Sequence, residues 1–92
     1  MSEQPARFHL GKIVATPGAL VSIPQPEIFE ALYRHERGDW GELDQHDVAE
    51  NERGLQCGLR LLSAYTSMAK VKFWIITEHD RSSTTILLPM EY

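Results

Sequence analysis

Three short apolar-rich segments crowd the last third of the chain, at residues 59–66, 71–77 and 84–88. Only 67–70 separates the first two, and only 78–83 the last two. Each alternates in the manner of a strand: Leu61, Ser63 and Tyr65 oppose Leu62 and Ala64, and Ile86 and Leu88 oppose Leu87. Links this brief leave hairpins as the natural connection. The middle segment carries large apolar groups on both sides, Val71, Phe73 and Ile75 on one and Trp74 and Ile76 on the other. It is therefore expected at the centre of the sheet, with helix on one face and a further group, such as a second copy of the chain, against the other.

The residues ahead of this platform read as one strand and then helices. Residues 8–15 alternate weakly and predict a first strand, weakened by Gly11. Thr16-Pro17 signals a helix start, a hydroxyl cap followed by a proline whose missing N–H costs nothing there. Pro24 and Pro26 cut that turn short, and Pro26 opens a longer helix reaching Glu36. Ile28, Phe29, Leu32 and Tyr33 form its apolar face, and Arg34, His35 and Arg37 place cations at its negative end before Gly38 stops it. After the turn Gly38-Asp39-Trp40-Gly41, Asp44 caps a helix over 45–56, with Asp47 where a capping box carries an acid. Its stripe of Val48, Glu52 and Leu55 is narrow, so it should lie on the surface. The order β-α-α-β-β-β predicts an α+β fold, an antiparallel sheet with helices packed on one face. Residues 1–7 read as a flexible tail and 8–92 as a single domain.

Ninety-two residues leave no room for a second core. Cys57 is the sole cysteine, which excludes an internal disulfide and suits a reducing cytoplasm. No apolar run approaches the length that spans a bilayer, and the first residues carry no basic-plus-apolar leader, so a cytoplasmic protein without membrane contact is the expectation. The net charge of −4 gives the whole chain no attraction for nucleic acid. Phosphate-binding glycine loops, nucleophile elbows and paired CxxC motifs are missing from the sequence. His9, His35, His46, His79 and Cys57 show no zinc-type spacing, and the acidic residues do not follow a calcium loop, so neither metal nor cofactor is expected.

Two constellations carry chemistry. Residues 78–83 pack Glu78, His79, Asp80, Arg81 and two serines into one corner. Cleavage of RNA by its own 2′-hydroxyl needs a base, an acid and a cation facing the phosphate. Glu78, His79 and Arg81 are candidates for these roles, with Tyr65, Lys72, Ser83 or Thr84 assisting. The plainer reading is a turn: Asp80 and Ser82 are turn residues, Arg81 pairs with Glu78 or Asp80, and Thr84 forms strand. The second constellation is Asp39, Glu42, Asp44, Asp47, Glu50 and Glu52, with no lysine or arginine among residues 39–52. The rest of the chain holds seven acids against nine bases, so the molecule is polarised. Such a strip suits a partner protein with a basic surface, whereas its plain reading is a solvated helix. Trp40 beside it is either a lid over the sheet or an exposed anchor for that partner.

Residues 11–20, 38–44, 60–65 and 74–92 resemble a family of small bacterial proteins labelled plasmid-related or hypothetical. The resemblance covers most of 11–92. It implies a gene carried on mobile elements and no particular activity, and its pattern often has alanine at the position of His79. A weaker, fold-level similarity is to barnase-, colicin- and RelE-like endoribonucleases. Taken together, the expectation is a non-enzymatic protein-binding module that uses Asp39, Trp40, Glu42, Asp44, Asp47 and Glu50. The alternative is a toxin-type endoribonuclease at the 78–83 corner, in contact with nucleic acid.

Overall fold

The two short links force neighbouring strands to run in opposite directions. In the computed structural model, which describes residues 4–92, β1 is Lys12–Ala15, α1 Pro17–Ser22, α2 Gln25–Glu36 and α3 Gln45–Cys57. Then come β2 (Leu61–Thr66), β3 (Lys72–Thr77), β4 (Ser83–Leu87) and a closing 3₁₀ turn, Pro89–Glu91. The sheet order is β1-β4-β3-β2. Strands β2 and β3 pair antiparallel with Tyr65 opposite Phe73, and β3 and β4 with Ile75 opposite Ile86. This is an α+β fold.

Three expectations need correction. The first strand begins at Lys12 rather than residue 8, because Gly11 takes a left-handed backbone that ends pairing. It also lies parallel to β4, so the sheet is mixed, not purely antiparallel. Parallel neighbours need a long crossover, and everything from α1 to β3 lies between these two strands. The Thr16-Pro17 start also opens a true helix, with the Thr16 hydroxyl accepting from the Ala19 N–H at 3.2 Å, so three helices precede β2.

Ala19 of α1 and Ile28, Ala31 and Leu32 of α2 pack with Ile23 against Tyr65, Phe73, Ile75 and Ile86 on one face of the sheet. On the other face Ile76 and Leu87 are also buried, and the Trp74 ring meets the Tyr92 ring edge-on at 5.7 Å. The C-terminal turn thus covers part of the second face of β3. That turn is clamped by Glu91, whose carboxylate accepts from the Thr16 hydroxyl at 2.5 Å and from the N–H groups of Gly18 and Leu88 at 3.0 and 2.9 Å.

Helix α3 stands at the margin of the sheet, against β2. The Asn51 amide acts as a short strand: its Oδ1 accepts from Leu62 N–H at 3.0 Å and its Nδ2 donates to Leu62 C=O at 2.6 Å. Two residues on, Ala64 donates to Trp40 C=O at 3.2 Å and accepts from Glu42 N–H at 2.7 Å. The β2 edge is thereby closed. Asn51 and Gly54 are the residues α3 buries, not the expected stripe of Val48, Glu52 and Leu55. The tail reading for residues 1–3 lies outside the described residues. From there on the segment is held: Gln4 C=O accepts from the Arg37 guanidinium at 2.8 Å, and Arg7 donates from its main chain to Glu36 C=O at 2.7 Å.

Candidate functional site

The corner at 78–83 is a turn closed by Glu78 N–H to Ser83 C=O at 3.0 Å and Arg81 N–H to Glu78 C=O at 2.9 Å. Asp80 accepts from Ser82 N–H at 3.0 Å, and the Ser82 hydroxyl first and this N–H second hold its carboxyl below the ordinary range. Arg81 does not pair with either acid. Its guanidinium donates to the carbonyls of Leu59 (2.6 Å), Gly54 (2.9 Å), Glu78 (3.1 Å) and His79 (3.2 Å). It ties the turn to the C-terminal end of α3, adding to the Leu59 N–H that the Gly54 carbonyl already accepts at 3.0 Å. Glu78 instead faces Arg60 at 3.5 Å, and His79 is exposed.

The proposed helpers lie elsewhere. Tyr65 is buried on the helix side of the sheet, where its hydroxyl donates to Asp39 C=O at 2.5 Å and burial pushes its pKa up to about 12. Thr84 is buried too and donates to Leu10 C=O at 2.6 Å. Glu78, His79, Arg81, Tyr65 and Thr84 therefore do not converge on one reacting centre. Arg81→Lys is expected to cost about 2 kcal/mol, because one ammonium cannot reach carbonyls on both segments. That should lower the melting temperature by roughly 10 °C in a domain this small; an unchanged melt would show that the guanidinium is not a structural tie.

A buried polar relay was not foreseen. His35, on the core side of α2, is fully buried. Its Nδ1 lies 2.5 Å from Ser63 Oγ and its Nε2 2.9 Å from Thr77 Oγ1. Thr77 Oγ1 is 2.7 Å from Thr84 Oγ1. The direction of the relay follows from its far end. A carbonyl only accepts, so Thr84 spends its proton on Leu10 and accepts from Thr77. Thr77 then accepts from His35 Nε2–H, and Ser63 donates to the bare Nδ1. The imidazole is neutral, with burial first and the positive charge of Arg81 second pulling its pKa down to about 3. The sequence reading of His35 as a cation at the helix end is thus overturned: the ring lies inward, walled by Phe8 and Trp40 at 5.2 and 5.7 Å. The signal was present in the spacing, since 28, 31, 32 and 35 share one helical face. A serine at hydrogen-bond distance from histidine is a nucleophile–base arrangement, but Ser63 is 0% exposed and meets no substrate.

The acidic strip divides into spent and free carboxylates. Glu52 forms a bidentate pair with Arg7 at 2.8 and 3.0 Å and accepts from the Trp40 indole at 3.0 Å; the Arg7 bond, then the Trp40 bond, holds its pKa low. Asp39 takes the Arg34 guanidinium at 2.7 Å, which lowers its pKa likewise. Glu42 accepts from the Thr66 hydroxyl at 2.9 Å, and Asp44 caps α3 through Asp47 N–H at 2.8 Å. Asp47 and Glu50 stay exposed, Glu50 with only a loose contact to Arg53 at 3.8 Å. Trp40 is 4% exposed, stacked on Phe8 at 6.2 Å, so it is the lid and offers a partner no indole surface. Among the described residues no three His, Cys, Asp or Glu side chains gather as a metal-binding group, and no helix is long and apolar enough to cross a membrane. No protein-family model, curated protein or solved structure matches this chain.

Proposed function

We propose that the protein is a non-enzymatic binding module of the cytoplasm whose exposed α3 face docks a basic surface on another protein. One observation carries this reading. Helix α3 runs thirteen residues and buries only Asn51 and Gly54, while Asp44 at its cap and Asp47 and Glu50 in its first two turns, at intervals of three, are all exposed. Carboxylates displayed this way steer and orient a cationic partner. Arg81 is tied to main-chain carbonyls, and Tyr65 and Thr84 are buried and bonded to main-chain carbonyls elsewhere, which supports binding over catalysis. The resemblance to plasmid-related bacterial proteins suggests that the module serves mobile elements.

The test is charge reversal. Asp47→Lys with Glu50→Lys should leave the melt within about 1 kcal/mol of the parent, the cost of a cation in the first turn of a helix. The same variant should lose the host protein that the parent retains in affinity purification, and the parent's capture should weaken with added salt. Equal recovery of that protein by both forms would refute the docking face.

A further inference from the structure

Strand β1 is the margin of the sheet that nothing covers among the described residues. The opposite margin, β2, is closed by Asn51 and by the Trp40–Glu42 turn, whereas β1 has β4 on one side only. Lys12 and Thr16 donate to Ser82 and Ile86 carbonyls, both at 3.0 Å. In a parallel ladder this alternation turns the N–H and C=O groups of Ile13 and Ala15 outward. Among the described residues those groups have no hydrogen-bond partner. Beside them, on the helix side, runs an apolar groove of about 270 Å³ with Ile13, Leu20 and Phe29 on its walls and Ile28, Leu32 and Ile86 at its floor. Ile13 is 49%, Phe29 61% and Leu20 63% exposed. An unpaired strand flanked by such a groove is a template for strand addition.

We propose that a second copy of the chain fills this edge, with β1 pairing antiparallel to β1 of the partner about a twofold axis at Val14. The pairing joins the two four-stranded sheets into one. Three observations converge on it. The outward groups answer one another, because with Val14 opposite Val14 each Ile13 faces the partner's Ala15 and exchanges both main-chain bonds with it. The twofold lies normal to the sheet, so both helix layers fall on the same side and the two grooves meet, covering Ile13, Leu20 and Phe29 of each copy. The charges fit as well. Lys12 falls opposite the partner's Thr16, whose hydroxyl within its own chain is bonded to Glu91. Lys12 has no ion pair among the described residues, and Glu91 is held ionised first by the Thr16 hydroxyl and then by Leu88 N–H. Each Lys12 ammonium therefore meets a Glu91 carboxylate across the interface. A ladder centred on Ile13 would set Lys12 against Val14 and leave that carboxylate unanswered. This interface lies at the opposite margin from α3, so it stands or falls separately from the docking face proposed above.

Sedimentation of the full chain up to millimolar concentration should give the mass of a dimer. Ile13→Pro deletes an N–H that points only outward, so it should yield a folded monomer. Lys12→Glu should weaken dimerisation roughly tenfold at low salt, since it turns two attractive pairs into repulsive ones. Val14→Cys in a Cys57→Ser background should cross-link on mild oxidation, because directly opposed residues of a non-hydrogen-bonded pair have Cα atoms about 4.5 Å apart, within disulfide reach. Lys12→Cys in the same background should not, its two copies lying about 14 Å apart along the strands. If Ile13→Pro fails to fold, the two cysteine variants decide the question. A parent that stays monomeric, a dimer indifferent to Lys12→Glu, or cross-linking at position 12 in place of 14 would each overturn the proposal. So would a monomeric parent that saturably binds an unrelated apolar peptide, which would assign the edge to a foreign strand.

Discussion

His35→Gln should flatten the dependence of stability on pH between about pH 6.5 and pH 4, the interval in which His35 is charged only in the unfolded chain. The folded imidazole has its pKa depressed to about 3. Its unfolded value is about 6.5. Between these limits the unfolded chain binds a proton that the native state refuses, so stability falls as pH falls, by about 1.4 kcal/mol per unit. By pH 4.5 the parent should have lost about 2.5 kcal/mol relative to pH 8 from this group alone. Glutamine can still accept from Ser63 and donate to Thr77, but it does not titrate. Urea unfolding at several pH values should show a sloping parent and a flatter variant, and parallel curves would exclude His35 as the source. His35→Ala removes the partners of two buried hydroxyls and empties the space beneath Phe8 and Trp40. It should cost about 3 to 4 kcal/mol at every pH, much of the 5 to 15 kcal/mol that a domain commands.

Gly41→Ala should be nearly as damaging, for a different reason. Gly41 has φ +76° and lies in a bridge to Ala64. A methyl group there would collide with the Ala64 carbonyl oxygen and stand 2.8 Å from the Tyr65 ring. Neither can yield, because Ala64 belongs to β2 and the Tyr65 hydroxyl is fixed to Asp39 C=O. Opening the turn would release the Trp40 and Glu42 bonds to Ala64 and lift the lid from His35. The expected loss is about 3 to 5 kcal/mol. Gly58→Ala is the matched comparison: its φ is +68°, and an added Cβ would meet nothing within 4 Å. It should cost about 1 kcal/mol, the left-handed penalty alone. Similar losses at 41 and 58 in chemical denaturation would mean that backbone conformation, not collision, sets the cost.

What could be read in advance was local. The alternation in β2, β3 and β4, the Thr16 and Asp44 caps and the stop at Gly38 depend on near neighbours, and the elements formed near their expected places. What escaped depends on residues far apart in sequence. Nothing near Lys12 says that its strand will lie parallel to Ser83–Leu87. Nothing near Asn51 says that its amide will stand in for a strand beside Leu62. Arg81 sits among acids in the sequence but reaches back to Gly54 and Leu59, because a guanidinium fork can bridge several main-chain carbonyls at once. His35 shows the same limit: its helical face was legible, but its neutral state comes from burial against the sheet and then from the charge of Arg81, and its hydrogen-bond partners Ser63 and Thr77 come from two different strands. The acidic strip was visible as composition, yet the ion pairs that spend Asp39 and Glu52 come from Arg34 and Arg7 on other segments.

The pairing of β1 with β4 has a consequence for assembly of the fold. The hairpins β2-β3 and β3-β4 close short loops, whereas β1 must meet a strand some seventy residues downstream. Strand β1 is synthesised well before β4 and must wait for it, and Glu91, bonded to Thr16 and Gly18, completes the fastening later still. Until then Ile13 and Val14 have neither neighbour strand, and a growing chain exposes on both sides the ribbon that the finished molecule leaves open on one.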